Sequence, residues 1–311
     1  MNPPDWLDPG EDYLLGLSGG RDSVFLTHWL HQFGFKNLTL CHLNHQLRGE
    51  ASDEDATYCR SVAEELGLPF LCESIDVGVL SENEKLSLET AARHARHEFF
   101  ARCAQQRNCS RILLAHHAED QAETILFRLI RGSAGIKGMQ PQKELTINDT
   151  TLQLLRPLLD IRRNQIDAYL TEYQIAYRED ESNAEDFAVR NRIRHELLPL
   201  LTDIFSRDPV PQLLHAEEHD RDLQSLLMSQ LAELTPLDPQ GRLHLPTLKK
   251  LPRALQRQII HDYLRDNDIQ DLSWNLVTKT LHLLETDSPP ALALPGGLRL
   301  RRRQARLFIS P

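Results

Sequence analysis

The sequence predicts an α/β protein, a parallel sheet with helices on both faces followed by a smaller, mainly helical domain. Three observations lead there. Short apolar runs alternate with amphipathic segments of helical length, the pattern of strands joined by helical crossovers. Polar clusters follow the predicted strands, where open parallel sheets hold their ligands. Past residue 211 helical periodicity dominates. The 311 residues are long for one core and comfortable for two domains. We place these at 1–205 and 212–311, because Ser206-Arg207-Asp208-Pro209-Val210-Pro211 interrupts the helical pattern with two prolines and polar residues.

The first strand is expected in the apolar run Tyr13-Leu14-Leu15-Gly16-Leu17. It ends in Ser18-Gly19-Gly20-Arg21-Asp22-Ser23, a tight turn that opens a helix over 24–33, with Asp22 or Ser23 as its cap. Gly19 and Gly20 tolerate positive φ and close backbone approach. The serine hydroxyls and the positive helix end suit an anion, most simply a phosphate. The spacing is neither that of the Walker loop, which needs a Lys before the Ser/Thr, nor the G-x-G-x-x-G of dinucleotide sites. A second strand is expected over 37–44, then a polar loop to Gly49. Ser52-x-x-Asp55 resembles a capping box for a helix ending at Gly67. A strand at 69–75, a helix at 89–107, a short buried strand at 111–115 and a helix at 119–131 follow. The glycine-rich stretch 132–138 reads as a loop over the crevice. A fifth strand is expected over 152–156 and helices over 162–172 and 186–201. In the second domain helices are expected over 213–234, 247–266 and 273–285, with strand-like pieces at 291–294 and 306–309 and a turn at Gly296-Gly297.

Composition limits the function classes. Apolar residues make up 41% and charged residues 26%, as in an ordinary soluble globular protein. No apolar run reaches membrane length, and Met1-Asn2-Pro3-Pro4-Asp5 lacks the basic start of a secretory signal. The five cysteines include no C-x-x-C pair, which fits free thiols in a reducing, cytoplasmic setting. A net charge of −10 argues against indiscriminate coating of nucleic acid, though not against a specific RNA reached through basic patches. Two such patches exist: Arg190, Arg192 and Arg194, and the tail set Arg299, Arg301, Arg302, Arg303 and Arg306. Arginine clusters suit phosphates. The tail set also suits an edge strand kept soluble by charge.

Three further constellations carry chemistry. His42-x-Asn44-His45-x-Leu47-Arg48 ends a strand and suits either a polar loop or contacts to a nucleotide edge; with no second His/Cys cluster, a metal reading lacks ligands. Glu89, Arg93 and Arg96 share a helix face, an arrangement equally suited to a surface ion pair. In His116-His117-Ala118-Glu119-Asp120-Gln121-Ala122-Glu123-Thr124, Asp120 and Glu123 share a face at i, i+3 where a strand becomes a helix. Acidic residues there also complement the helix dipole.

Taken together these motifs are similar to those of the tRNA(Ile)-lysidine synthetase family, within the PP-loop ATP pyrophosphatases (adenine nucleotide alpha hydrolase-like fold). The matching pieces are Ser18 to Ser23, His42 to Arg48, Glu89 to Arg96, Ala115 to Thr124, Arg131-Gly132-Ser133, Arg156-Pro157-Leu158-Leu159, Glu179-Asp180-Glu181-Ser182-Asn183 and Arg190-Asn191-Arg192-Ile193-Arg194. They span most of residues 12–200, and Leu294 to Leu300 matches more loosely. Glu119 stands where the family usually has Asp, and His97 where an aromatic is usual. The resemblance implies an ATP-dependent ligase that adenylates the wobble cytidine of an isoleucine tRNA at its anticodon loop, releases pyrophosphate, and lets free L-lysine displace AMP. It implies ATP phosphates on Ser18, Gly19, Gly20, Arg21, Asp22 and Ser23, Mg²⁺ on Asp22, catalytic roles for Asp22, Asn44, Arg93 and Arg96, lysine on Asp120 and Glu123, and tRNA on Arg190, Arg192 and Arg194. A homodimer is admitted and no membrane is implied. Some relatives carry a further carboxy-terminal domain; the expectation here is a chain that ends without it. The rivals are another PP-loop enzyme such as a tRNA thiolase, disfavoured because no C-x-x-C exists, and a nucleotide-binding module without chemistry.

Overall fold

A strand of four residues, β1 (Tyr13–Gly16), lies at the middle of the main sheet, and its alternation sets the two faces. The computed structural model describes every residue except 134, 179–187, 271, 286–289 and 311. With β2 (Leu38–Asn44), β3 (Phe70–Ser74), β4 (Arg111–Leu113), β5 (Gln142–Ile147) and β6 (Thr150–Leu155), the order is β3-β2-β1-β4-β6-β5. Only β5 runs antiparallel, along β6. Tyr13 and Leu15 pack with Phe25 and Trp29 of α1 (Arg21–Gln32), Val62 of α2 (Glu50–Leu66) and Ile166 of the 163–172 helix. Leu14 points the other way, among Phe99, Phe100 and Cys103 of the 88–107 helix. Alternate residues of one apolar strand thus fill two cores, as a sheet covered on both faces requires.

The order has a direct consequence for ligands. The chain winds outward from β1 through β2 to β3, then returns to place β4 on the other side of β1. A crevice opens where the winding reverses, beyond the carboxyl ends of β1 and β4. The Ser18 to Ser23 turn and the His116 to Glu123 segment therefore share one crevice, although they are distant in sequence.

Local structure departs from the sequence expectations at several places. The first helix begins at Arg21, with Gly20 as its N-cap and no side-chain cap, because the Ser23 hydroxyl donates to the Gly20 carbonyl (2.9 Å) within the turn. The second begins at Glu50 after Gly49, and the Ser52 hydroxyl accepts from the Arg48 amide (3.1 Å) instead of closing a capping box. A short helix, α3 (Val77–Glu84), and the edge strand β5 carry no strong periodicity and were not expected from it. Then come α4 (Leu88–Arg107), α5 (Ala118–Ile130) and α6 (Arg163–Glu172). The helix expected over 186–201 begins outside the described residues; the described part is α7 (Ala188–Arg192), a π-helical turn over Ile193–Leu197, and α8 (Leu198–Phe205).

Two units emerge, Met1–Ile130 with Lys137–Ala216, and Arg131–Ile136 with Glu217–Pro311. The division falls inside α9 (Val210–Ala232), beyond the proline pair. Pro211 lies in the first turn of α9, where its missing N–H costs no intrahelical bond, so the helix runs on. In the second unit, the helix expected over 247–266 breaks at Pro252 into α10 (Leu245–Lys249) and α11 (Arg253–Asp266), and α12 (Trp274–His282) follows. This unit also holds an antiparallel sheet of β7 (Leu243–His244), β8 (Ala291–Ala293), β9 (Arg299–Arg303) and β10 (Arg306–Ser310), ordered β7-β10-β9-β8. Strand β9 is paired on both sides, so the reading of the arginine-rich tail as a charged edge strand does not hold.

Candidate active site

The turn after β1 is held by its own hydroxyls. The Ser23 Oγ accepts from the Ser18 amide (3.1 Å) and lies 3.1 Å from the Ser18 Oγ. Gly19 adopts φ +85°, and a Cβ there would meet Cys59 Sγ at 3.3 Å; both conformation and packing call for glycine. Gly16 is equally constrained, since a Cβ would come within 2.9 Å of Phe100 Cζ. The turn opens onto a cleft of about 690 Å³, lined by Ser18, Gly20, Arg21, Asp22 and Ser23 together with Asn44, Arg96, His116, Arg163 and Arg194.

Next to the turn lies a buried ionic cluster. His117, 2% exposed, donates from Nδ1 to Glu119 Oε2 (2.9 Å), while its Nε2 lies 3.6 Å from both Asp22 and Asp120. Burial alone would lower the imidazole, but the Glu119 hydrogen bond and the charges of Asp120, Asp22 and Glu119 lift it to about 9. Glu119 also accepts from Arg162 Nε (2.8 Å) and the Arg163 amide (3.0 Å). His116 behaves in the opposite way: burial and the nearby Arg156 and Arg96 hold it down at about 4 against the pull of Asp120, so it is neutral. Two adjacent histidines therefore carry different charges, a distinction that no sequence pattern encodes.

Asp120 and Glu123 do converge, but not on open cleft. Arg194, from the π turn, donates from Nε to Glu123 Oε1 (2.6 Å) and from an Nη to Asp120 Oδ1 (2.7 Å). Arg194 is among the residues that line the cleft, and Asp120 and Glu123 are not. Glu123 is 4% exposed, and burial pushes its carboxyl up while Arg194 pulls it back. Arg194 is thus separated from the arginines with which the sequence grouped it. Arg190 lies over the Phe127 ring and 3.7 Å from Glu89, and Arg192 makes an exposed i, i+4 pair with Glu196. Residues 179–183 of the matching motif lie outside the described residues.

The other expected residues divide clearly. Arg96 reaches the cleft, and the protein around it, Arg93 and Arg190 all act to lower its pKa, an electrostatic environment suited to an anion. Arg93 is exposed and is not among the lining residues. Asn44 is buried with both polar ends engaged: Nδ2 donates to Asp53 (2.7 Å) and Oδ1 accepts from the Gln46 amide (2.8 Å). It holds the loop in place. Arg21 donates to Asp167 of α6 (2.9 Å) at the rim of the cleft. Sequence reasoning missed Arg162, Arg163 and Arg178; the Arg178 amide donates to the Gly19 carbonyl (3.0 Å) and fastens the turn. The only signal for them was a pair of arginines at the start of an expected helix and one isolated arginine.

A divalent cation fits Asp22. Its Oδ1 is buried with no hydrogen-bond partner among the described residues, and the side chain lines the cleft. Burial raises its carboxyl above the usual range, with His117 opposing and Asp120 adding to the effect. Among the described residues no cluster of three or more His, Cys, Asp or Glu could hold a metal by itself. Magnesium needs none, since it commonly takes one or two carboxylates and completes its shell with water and substrate phosphates.

On the second unit, Arg299, Arg301 and Arg303 project from one face of β9, beside Phe308 and Arg306 of β10. Arg302 faces the other way and donates to the Leu283 carbonyl (3.0 Å), and Arg306 donates to Asp238 (2.9 Å).

Comparison with known proteins agrees with this layout. A PP-loop domain matches residues 4–201, and a TilS substrate binding domain matches residues 243–308. A tRNA(Ile)-lysidine synthase of Chlorobaculum tepidum is 32% identical over 93% of this chain and 87% of its own length. One from Geobacter sulfurreducens is 35% identical over 94% of this chain. A bifunctional protein TilS/HprT of Listeria monocytogenes is 34% identical over 97%. The chain spans 64% of the Geobacter protein and 48% of the Listeria one. In fold, it resembles the U34-tRNA thiolase NcsA from Methanococcus maripaludis, with a TM-score of 0.55 and 17% identity over 76% of each chain. No helix among the described residues is long and apolar enough to cross a membrane. With a PP-loop domain on the β1 turn, a substrate binding domain on the second sheet, and a relative matched over nearly its whole length, the chain belongs to the tRNA(Ile)-lysidine synthase family.

Proposed function

We propose that this chain ligates L-lysine to C2 of the wobble cytidine of an isoleucine tRNA in two steps. In the first, the C2 oxygen attacks the α-phosphorus of ATP, the bond to the β-phosphate oxygen breaks, and pyrophosphate leaves. In the second, the lysine ε-amine attacks C2, loses a proton, and AMP departs with the former C2 oxygen. Adenylation is needed because a carbonyl oxygen is a hopeless leaving group and a phosphate ester a good one. The observation that supports the reading most directly is the cleft at the switch point: the phosphate-suited turn and Arg96 line it, and so does Arg194, which is hydrogen-bonded to the carboxylate pair Asp120 and Glu123. Ser18, Ser23 and the Gly20 amide hold phosphate. Arg96 stabilises charge on the phosphate in transfer. Asp22 would hold Mg²⁺, whose chemistry is to neutralise the leaving pyrophosphate. Asn44 keeps the loop after β2 in place, and Arg93 contributes positive potential behind Arg96. Incubation with ATP, lysine and total tRNA, followed by mass analysis of nucleosides, tests the reading. Lysidine should form only when all three are present; pyrophosphate release without a lysine-bearing nucleoside would leave another PP-loop activity.

The RNA is held by phosphate contacts. Of the five tail arginines, Arg302 and Arg306 are engaged within the second unit, so Arg299, Arg301 and Arg303 are the ones offered to RNA, with Arg190 and Arg192 on the first unit. Replacing Arg299, Arg301 and Arg303 with Gln should flatten the log–log salt dependence of tRNA binding by about two to three units. An unchanged slope would remove this strand from the interface. A homodimer and a cytoplasmic location are compatible with this reading.

A further inference from the structure

Arg194 stands where the proposed amino acid should. Its guanidinium bridges Asp120 and Glu123 at 2.7 and 2.6 Å, and Arg194 lines the cleft whereas neither carboxylate does. Glu123 is almost fully buried, and Arg194 is the cation it is hydrogen-bonded to. A buried carboxylate left without a cation is costly, so Arg194 can leave only as another cation arrives. Resting on the lysine reading above, we propose that Arg194 is a built-in occupant of the amino-acid subsite: lysine binds by exchange with this guanidinium, which turns into the cleft toward the nucleotide phosphates.

The exchange conserves charge at the carboxylate pair, one cation for one cation. It also gives the displaced guanidinium a destination, because Arg194 already borders the space enclosed by Ser18, Ser23 and Arg163. Guanidinium and phosphate pair well. Phosphate in the cleft therefore favours the outward position of Arg194, and that position uncovers Asp120 and Glu123. Nucleotide and lysine should bind with positive coupling, and linkage makes the effect reciprocal. The setting allows movement: Arg194 belongs to a π-helical turn, an irregular piece of helix of a kind often found at functional sites. Arg194 is a positioning residue in this scheme; it sets when the subsite is open.

Calorimetric titration of lysine, with and without an ATP analogue carrying a methylene between the α- and β-phosphates, tests this. For the unmodified protein, the analogue should tighten lysine binding at least about tenfold. Arg194→Gln should bind lysine tightly in either condition, with a ratio near one. Arg194→Lys, which retains a cation and guards against a trivial loss of folding, should keep part of the nucleotide dependence. Asp120→Asn should abolish lysine binding. Equal lysine affinity in Arg194→Gln and unmodified protein, with binding lost in Asp120→Asn, would overturn the exchange and leave the lysine site standing. Undiminished binding in Asp120→Asn would place the amino acid elsewhere and overturn both.

Discussion

Asp22→Asn is expected to reduce pyrophosphate release by about a thousandfold, the upper end of the loss seen when one preorganised electrostatic group is removed from a transition state. The substitution keeps the shape of the side chain and removes its charge. The turn is held by Ser18, Ser23 and Arg178 around Asp22, so circular dichroism and the melting temperature should change little. The loss should therefore be one of chemistry. His117 gives an internal check, since Asp22 is one of the carboxylates that lift its imidazole to about 9. In Asp22→Asn the ring should titrate lower, toward neutrality, observable by NMR. Normal pyrophosphate release by a folded Asp22→Asn protein would remove this carboxylate from the reaction.

The second large effect concerns the amino acid. Asp120→Asn and Glu123→Gln are each expected to lower lysine transfer by about a hundredfold or more, the scale set by removing one partner of a buried hydrogen-bonded charge pair. Pyrophosphate release should fall far less, and the ratio of the two rates is the measurement that matters. A carboxylate beside an ammonium raises its pKa, so in the proposed reaction electrostatic holding would not itself supply a neutral attacking amine. Free lysine near pH 7 has only about one neutral ε-amine in a few thousand. Either the carboxylates grip the α-amine, or one of them takes the proton as attack proceeds. A steeper dependence of the lysine step on pH in Glu123→Gln than in Asp120→Asn would assign the proton to Glu123, the more buried of the two. If both variants incorporated lysine at unchanged rate and affinity, the pair would be an ordinary helix start braced by an arginine.

The sequence by itself determined the sheet class, the phosphate-suited turn and the family. These depend on short-range information. Apolar runs of strand length, glycines at a turn and hydroxyls beside them are written in neighbouring residues, and the strand ends tell where polar clusters face. The tertiary structure alone decided which charges meet. Arg190, Arg192 and Arg194 read as one phosphate-binding patch, yet residues two apart on a helix do not face each other, and Arg194 meets Asp120 and Glu123 while Arg192 stays on the surface with Glu196. His116 and His117 are neighbours in a single motif, yet opposite surroundings set one near 4 and the other near 9. The resemblance implies a catalytic role for Asn44, and the fold adds that this cleft-lining amide is bonded to Asp53 and to the Gln46 amide. The tail arginines read as one cluster, and the pleat of β9 leaves Arg299, Arg301 and Arg303 exposed while Arg302 turns the other way to the Leu283 carbonyl. In each case the deciding contact joins residues far apart in sequence, or depends on burial. Coulomb energies between ionisable groups vary severalfold with separation and with the surrounding dielectric, and both of those are fixed only when the chain is folded.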